Sequence, residues 1–175
     1  MRSKLEIVKS TALISVAEYL RTAYSPDCDY VDGEVQERNL GERDHSYMQI
    51  ALGSYFFARR KDWSIEVYPE QRVQARPNRF RIPDLCVVLG GTKEKILTTP
   101  PFLCVEILSP EDRMSRVQDR IDDYFAMGVQ NVWVVDPARR CAYYATAAGD
   151  LNRVASEVLR TTDPALEVPL AEIFE

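Results

Sequence analysis

Two short apolar stretches decide the fold: RIPDLCVVL at residues 81–89 and LCVEIL at residues 103–108. Each is too short for a typical globular helix and rich in Val, Ile, Leu and Cys, so both predict buried strands. Each contains one carboxylate, Asp84 in the first stretch and Glu106 in the second. Burying an unpaired charge is costly or shifts its pKa, so each acid needs a partner that stabilises it.

Two interpretations of this acidic pair are open. If the strands are neighbours, Asp84 and Glu106 converge on a hard divalent ion such as Mg²⁺, which prefers oxygen ligands and keeps several waters. Pro83 lacks an N–H and is confined to a strand start, an edge or a bulge, so Asp84 is expected near an opening that substrate can reach. Alternatively, each acid forms a structural ion pair with an arginine such as Arg81 or Arg120.

Length and composition predict one ordinary globular domain. The chain has 175 residues, of which 46% are hydrophobic and 28% charged, and its net charge is −5. We expect a single domain over 1–175, with 1–11 as a loose N-terminal extension. No stretch approaches the roughly 20 apolar residues that span a bilayer, so we expect no membrane association. The net charge argues against broad coating of nucleic acid but permits a local basic cleft.

Cysteine usage and the absence of standard motifs indicate the cellular compartment and exclude several kinds of active site. The four cysteines are scattered without a CxxC pair, and Cys86 and Cys104 lie inside apolar stretches. They predict reduced structural thiols and a cytoplasmic location. The chain has no GxxxxGK[ST], GxGxxG or GxSxG motif, so we expect no small-molecule cofactor. The single histidine, His45, leaves little material for a zinc site or a Ser-His-Asp triad.

The remaining patterns predict an α/β domain with a mixed sheet, because helices interrupt a strand series without strict alternation. Ser15 is the expected N-cap of a short helix, and the pair Asp32-Gly33 predicts a hairpin turn. Gly128 is the expected C-cap of the last helix. The predicted helices cover 15–20, 46–60 and 113–127, and further strands are expected within 29–35, 63–73, 129–135 and 141–145, with a short segment at 170–174.

In combination, these stretches resemble the PD-(D/E)xK nuclease superfamily and, within it, the Uma2 family of restriction-type endonucleases. The resemblance covers roughly residues 12–174. It rests on order and spacing, since no single motif is specific. The stretches that carry it are YVDGEV at 30–35, His45 opening the next helix, RIPDLCVV at 81–88, and VEILSP at 105–110 leading to Tyr124 and GVQNVWVVDP at 128–137.

The resemblance implies a restriction-endonuclease-like core, a central mixed β-sheet flanked by helices. It implies Mg²⁺ or Mn²⁺ as cofactor and DNA as partner. The implied catalytic residues are Glu34, Asp84, Glu106 and Arg120. The implied metal ligands are Asp84, Glu106 and the backbone carbonyl of Ile107. We further expect His45, Arg113 and Arg116 to bind DNA. By position alone, Glu34 also suits a solvent-facing strand residue and His45 a surface or capping residue.

Two positions depart from the family pattern. Arg120 stands where the family has a catalytic lysine, and Arg116 stands where it usually has aspartate. Arginine stays protonated and cannot act as a general base, although it can stabilise charge on a phosphate. Two functions therefore stay open: a Mg²⁺-dependent DNA endonuclease that hydrolyses phosphodiester bonds, or a catalytically degenerate nuclease fold that acts as a DNA-binding or assembly module.

Aromatic residues are concentrated in the N-terminal part of the chain. A double-strand cutter usually needs two active sites related by two-fold symmetry, and aromatic residues are enriched in interface centres. We therefore predict a homodimer through the N-terminal half, unless most of these rings line the core. The rings in question are Tyr19, Tyr24, Tyr30, Tyr47, Tyr55, Phe56, Phe57, Trp63 and Tyr68.

Overall fold

The computed structural model describes residues 13–38 and 42–174. The expectation for 1–11 therefore concerns residues outside the described part. The helices are α1 (Val16–Arg21), α2 (Arg43–Arg59) and α3 (Met114–Met127), with a 3₁₀ turn at Leu170–Glu172. The strands are β1 (Cys28–Val31), β2 (Glu34–Glu37), β3 (Ile65–Pro69), β4 (Val73–Arg76), β5 (Arg79–Arg81), β6 (Leu85–Leu89), β7 (Leu103–Ile107), β8 (Asn131–Asp136), β9 (Cys141–Ala145), β10 (Leu151–Arg153), β11 (Val158–Arg160) and β12 (Glu167–Pro169).

A six-stranded mixed sheet forms the centre of the fold, in the order β10-β9-β8-β7-β6-β3. Strands β7 and β8 run parallel and are joined through α3, whereas the other neighbours in this sheet are antiparallel. The predicted α/β class with a mixed central sheet is confirmed. Strand β6 runs opposite to β7 and β8. Its first residue therefore lies at the same end of the sheet as the last residues of β7 and β8.

One expectation about the stretch at 81–89 is wrong, because it does not form a single strand. Residues Arg79–Arg81 form β5 in a second, four-stranded sheet of order β2-β1-β5-β4, and only Leu85–Leu89 joins the central sheet. The chain leaves the strand conformation at 82–84, where Pro83 offers no N–H to a ladder. This break places Asp84 between the two sheets, immediately before β6.

Helix α3 connects the parallel strands and packs one face on the central sheet. Val117, Ile121 and Tyr124 are buried on that face, as the helical spacing predicts. Gly128 ends the helix in the left-handed region at φ 104°, which a glycine adopts without steric cost. Arg120 lies four residues before Tyr124, so both side chains project from neighbouring positions of the same helix.

Helix α2 packs Met48, Leu52 and Phe56 against the central sheet, where the Phe56 and Trp133 ring centroids are 6.1 Å apart. Its observed start is Arg43, three residues before the predicted one. His45 and Gln49 lie on the side of α2 that faces the start of β6, where both contact Asp84. The helix thereby delivers two polar side chains to the sheet edge.

The N-terminal elements follow the sequence closely. Ser15 caps α1 by accepting a hydrogen bond from the Glu18 amide at 3.2 Å. The turn between β1 and β2 has φ 50° at Asp32 and 101° at Gly33, as a two-residue hairpin requires.

All four cysteines are buried and free. Within residues 13–38 and 42–174, no helix has both the length and the apolar character needed to cross a membrane.

Candidate active site

Asp84 and Glu106 face each other across the boundary of β6 and β7. The antiparallel register pairs Leu85 with Val105, so the two acids occupy the next facing positions. Side chains in facing positions have Cβ atoms about 4.5–5.5 Å apart. The Ile107 amide donates a hydrogen bond to Asp84 Oδ2 at 2.7 Å, which joins the two strands at this point. Both acids are almost completely buried, with 2% of Asp84 and 0% of Glu106 exposed.

Asp84 is surrounded by donors. Its Oδ1 forms an ion pair with the Arg38 guanidinium, which also donates to the Ile82 carbonyl, and lies 3.3 Å from His45 Nε2. Gln49 Nε2 donates to the main-chain oxygen of Asp84 at 2.9 Å. Burial alone would raise the pKa of Asp84, but the Arg38 charge and the His45 hydrogen bond outweigh it and lower that pKa. Asp84 is therefore held as a carboxylate.

His45 responds to the same contact. Burial alone would lower the pKa of His45, but its hydrogen bond to Asp84 and the charge of that carboxylate raise it above the ordinary value. The Asp84 carboxylate thus stabilises the protonated imidazole more than water would.

Glu106 has a different environment. The Tyr124 hydroxyl donates to its Oε1, and Arg120 Nε lies 2.8 Å from its Oε2. Burial raises the pKa of Glu106, and the Arg120 charge only partly offsets this because Asp84 adds a like charge. The environments push the pKa values of the two acids apart, so Glu106 accepts a proton more readily than Asp84. Such separation is typical of catalytic acid pairs.

The two facing carboxylates suit a divalent ion with oxygen ligands. Such an ion would compete with Arg38 and Arg120 for the carboxylate oxygens. Glu106 Oε2 is buried and accepts no hydrogen bond, because its contact with Arg120 lacks the required geometry. The Ile107 carbonyl faces the same side of β7 as the Ile107 amide, which points at Asp84. No group of three or more His, Cys, Asp or Glu side chains suited to a metal occurs in the described ranges. Mg²⁺ is often held by only one or two carboxylates with waters and substrate oxygens, so the donor set fits.

Three other predicted site residues are exposed and lie outside the network of contacts around Asp84 and Glu106. Glu34 is exposed at the start of β2, and no hydrogen bond or ion pair connects it to Asp84 or Glu106. Arg113 is the N-cap of α3 and Arg116 lies in its first turn, and both are exposed. Their exposure suits contact with a large charged ligand, whereas His45, predicted to bind DNA, contacts Asp84.

A second buried network links α3 to β1 and β5. Arg81 joins Asp29 at 3.0 Å to Asp123 at 2.8 Å, and Arg79 Nη1 also donates to Asp123 at 3.0 Å. Asp29 Oδ1 accepts the Ile82 amide, which ties β1 to the segment that leads to Asp84. The structural ion pair considered for Arg81 therefore exists with other acids, whereas the one considered for Arg120 is with Glu106.

Sequence reasoning missed Arg38 and assigned Tyr124 only a packing role. The buried acid at position 84 signals that some cation must lie nearby, but Arg38 is 46 residues away in the chain and its own neighbours carry no motif. The Tyr124 hydroxyl is buried and donates a hydrogen bond to Glu106. Its side chain therefore positions that acid in addition to packing in the core.

The mixed sheet and the two facing acids, where β6 starts and β7 ends, match the restriction-endonuclease-like core that the sequence resemblance implies. The chain matches the model of the Uma2 family, described as "Putative restriction endonuclease", over residues 16–171, and it belongs to this family. Restriction endonucleases generally use divalent metal ions.

The solved structures contain the same fold. One is the crystal structure, at 1.96 Å resolution, of a "putative nuclease belonging to DUF820" from Anabaena variabilis ATCC 29413. It is 20% identical in sequence and has a TM-score of 0.78, with 92% of this chain and 97% of that chain covered. This likeness confirms the fold prediction. No curated protein matches the chain.

Proposed function

We propose that this protein is a Mg²⁺- or Mn²⁺-dependent endonuclease that hydrolyses phosphodiester bonds in DNA. The observation that carries the proposal is the facing pair of buried acids, Asp84 and Glu106, at the end of the central sheet where β6 starts and β7 ends. Membership of the Uma2 family supports it independently. We further propose that the protein acts in the cytoplasm, where reduced cysteines are the rule, and all four of its cysteines are free.

The roles follow from the contacts of each group. Asp84, Glu106 and the Ile107 carbonyl would hold the ion. When bound, a divalent ion polarises a phosphoryl oxygen and lowers the pKa of a water molecule. Tyr124 orients Glu106 through its hydroxyl. Arg120, beside Glu106, would stabilise negative charge on the phosphate but cannot accept a proton.

Four further residues complete the proposal. Arg113 and Arg116 are exposed cations at the start of α3, where they would contact the DNA backbone without reading its sequence. His45 would contact DNA beside Asp84 if substrate binding releases it from that carboxylate. We assign Glu34 an orienting role that would require the substrate, since in this structure it contacts neither buried acid.

Incubation of purified protein with supercoiled plasmid tests the proposal. We expect nicked or linear products with Mg²⁺ or Mn²⁺ and intact plasmid when EDTA replaces the metal. Products that form equally well in EDTA would exclude metal-dependent hydrolysis. Intact plasmid in every metal would leave the binding function described next as the better account.

A second candidate function is DNA binding or assembly without cleavage. The observation in its favour is that each buried acid already has an arginine partner, Arg38 for Asp84 and Arg120 for Glu106. A metal ion must compete with both guanidinium groups for the same oxygens. This candidate predicts DNA binding that weakens steeply with added salt and no metal-dependent cleavage. Binding that is unchanged between low and physiological salt would count against it.

The substitution Arg120→Lys is predicted to increase cleavage. Lysine restores the residue that the family carries at this position, and its pKa can fall upon burial so that it can accept a proton. Because general acid–base catalysis contributes about 10²–10⁴-fold, we expect a rise of about tenfold or more. Plasmid-nicking rates measure the change.

Arg160→Lys is the matched control, because Arg160 is half-exposed and pairs with Glu167, not with either of the buried acids. This control should leave the rate unchanged. A slower Arg120→Lys enzyme would mean that the arginine itself serves catalysis here.

We propose a homodimer that forms through α2. Most of the N-terminal rings are buried or packed against the core, but Phe57 is 54% exposed and Ile50 is 64% exposed on one side of α2. These two side chains line an apolar groove of about 430 Å³ beside β3, one of the two edge strands of the central sheet. A two-fold axis through this face would bury the apolar groove and supply two active sites to one duplex.

Light scattering at micromolar concentration should give twice the 20.0 kDa chain mass. Ile50→Lys should give a single-chain mass, because an ammonium group in the centre of the interface is not paired. Leu20→Lys, on the exposed side of α1, is the control and should stay dimeric. A wild-type protein with the mass of one chain would overturn the proposal.

A further inference from the structure

A separate cavity of about 330 Å³ lies between the first turns of α2 and the turn that follows β8. Its polar lining comes from Arg43, Asp44 and Tyr47 on α2 and from Arg140 in the turn. Its floor is apolar and buried, formed in part by Met48 and Phe174. The cavity thus combines an apolar base with charged groups at its walls, which is typical of a small-ligand site.

The cavity opens at the same edge of the sheet as the acidic pair. Strand β8 runs beside β7, with Val134 opposite Glu106, and the turn at the cavity begins directly after β8 ends at Asp136. On α2, Arg43 and Tyr47 are each two residues from His45, so they lie at the same end of the helix as the His45–Asp84 contact but project from a different side of it. A strand that passes over the first turn of α2 from the acidic pair can therefore reach this cavity.

The charges of the cavity are available to a ligand. Neither Arg43 nor Arg140 has a carboxylate within 4.0 Å in the part of the chain that the structure describes, whereas Arg38 pairs with Asp84, and Arg120 pairs with Glu106 and Asp112. Tyr47 is 50% exposed. The Arg140 guanidinium lies over the Phe174 ring, 5.8 Å from its centroid, and so has an aromatic neighbour but no carboxylate partner. Two guanidinium groups without carboxylate partners and a half-exposed ring are the parts from which sites for single-stranded nucleic acid are built.

We propose that this cavity takes one unpaired nucleotide of a DNA strand whose neighbouring phosphate lies at the acidic pair. The base stacks on Tyr47, and the flanking phosphates contact Arg43 and Arg140. Asp44 repels phosphate but accepts hydrogen bonds from the amino group of a base, so the base lies on the Asp44 side of the cavity. The inference rests on the proposed nuclease function and deepens it by naming the class of substrate.

The substrate is then DNA with an unpaired nucleotide beside the cleavage point, such as an overhang or a frayed end. A base inside a continuous duplex is stacked and paired, and it reaches a protein cavity only after the cost of extruding it. An unpaired nucleotide avoids that cost. The protein therefore binds DNA with an overhang more tightly than fully paired DNA.

Fluorescence anisotropy in EDTA tests this without any contribution from cleavage. The probes are a fluorescein-labelled hairpin with a blunt end and the same hairpin with a three-nucleotide 5′ or 3′ overhang. For the wild-type protein, we expect binding to one overhang about tenfold tighter than to the blunt hairpin. Tyr47→Ala should abolish this preference, while Tyr47→Phe, which keeps the ring, should retain it.

Substitutions of the arginines supply an independent readout. Arg43→Gln and Arg140→Gln should each weaken binding to the overhang and reduce the slope of log affinity against log salt by about one. Arg160→Gln is the control, because Arg160 is paired with Glu167 away from the cavity, and it should change neither quantity. Circular dichroism on each variant verifies that the fold is retained.

Two outcomes overturn the inference: equal affinity of the wild type for blunt and overhanging hairpins, or an unchanged preference in Tyr47→Ala. The failure of the nuclease proposal is distinguishable from both. If the protein cleaves plasmid but binds both hairpins equally well, the assignment of the cavity is wrong and the nuclease proposal stands. If the protein cuts no DNA with any metal, but both the wild type and Asp84→Asn prefer the overhang, the nuclease proposal is wrong and the assignment of the cavity stands.

Discussion

Replacing Asp84 with alanine is expected to abolish DNA cleavage and to lower the free energy of unfolding by about 3–5 kcal/mol. The first effect follows because Asp84 supplies one of the two acids proposed to hold the metal. The second follows because the Arg38 side chain, only 14% exposed, would lose its ion-pair partner. Removal of one partner from a buried pair leaves an uncompensated charge, which costs far more than the loss of an exposed pair.

Plasmid nicking and urea denaturation measure the two effects of Asp84→Ala. Glu167→Ala is the matched control, because it also removes a carboxylate from an ion pair with an arginine, but this pair, with Arg160, is exposed. We expect the control to cleave normally and to lose about 0–1 kcal/mol. Asp84→Asn keeps the side-chain volume and should also abolish cleavage. Cleavage that persists in Asp84→Ala would place the reaction elsewhere or point to a contaminating nuclease.

Replacing Asp123 with alanine is expected to destabilise the protein by about 3–5 kcal/mol without touching the acidic pair. The Asp123 carboxylate is 1% exposed and accepts hydrogen bonds from Arg79 and Arg81. Arg81 is itself 3% exposed, so the loss of Asp123 leaves a buried guanidinium with Asp29 as its main partner. The network joins α3 to β1 and β5, and we expect the whole transition to shift to lower urea concentration.

The neighbouring Asp122 provides the control for this effect. It is exposed, and its carboxylate accepts one hydrogen bond from Gln118 at 2.8 Å. We expect Asp122→Ala to change the free energy of unfolding by less than about 0.5 kcal/mol, as is usual for surface positions. Equal losses in the two variants would mean that burial of Asp123 contributes nothing specific.

Local signals were sufficient for most of the fold. The cap at Ser15, the turn at Asp32-Gly33 and the C-cap at Gly128 act through neighbouring backbone groups, so a short window of sequence contains them. The same is true of α3, where apolar residues recur at helical spacing. The strands at 151–153, 158–160 and 167–169 were missed, since each has three residues and no alternation to detect.

The candidate site could be predicted only in part. Asp84 and Glu106 stood out because a carboxylate inside an apolar run conflicts with its surroundings. The identity of their partners depends on long-range pairing: Arg38 reaches Asp84 only because β2 belongs to a second sheet that packs at the start of β6. The break of the stretch at 81–89 has the same origin, since the two sheets meet at Pro83.

The central claim is that Asp84 and Glu106 together hold a divalent metal ion. Anomalous diffraction from crystals grown with Mn²⁺ tests it most directly. We predict one peak between the two carboxylates, at about 2.1 Å from an oxygen of each, with the guanidinium groups of Arg38 and Arg120 displaced from those oxygens. Absence of a peak at saturating Mn²⁺, with both arginine–carboxylate ion pairs intact, would contradict the claim.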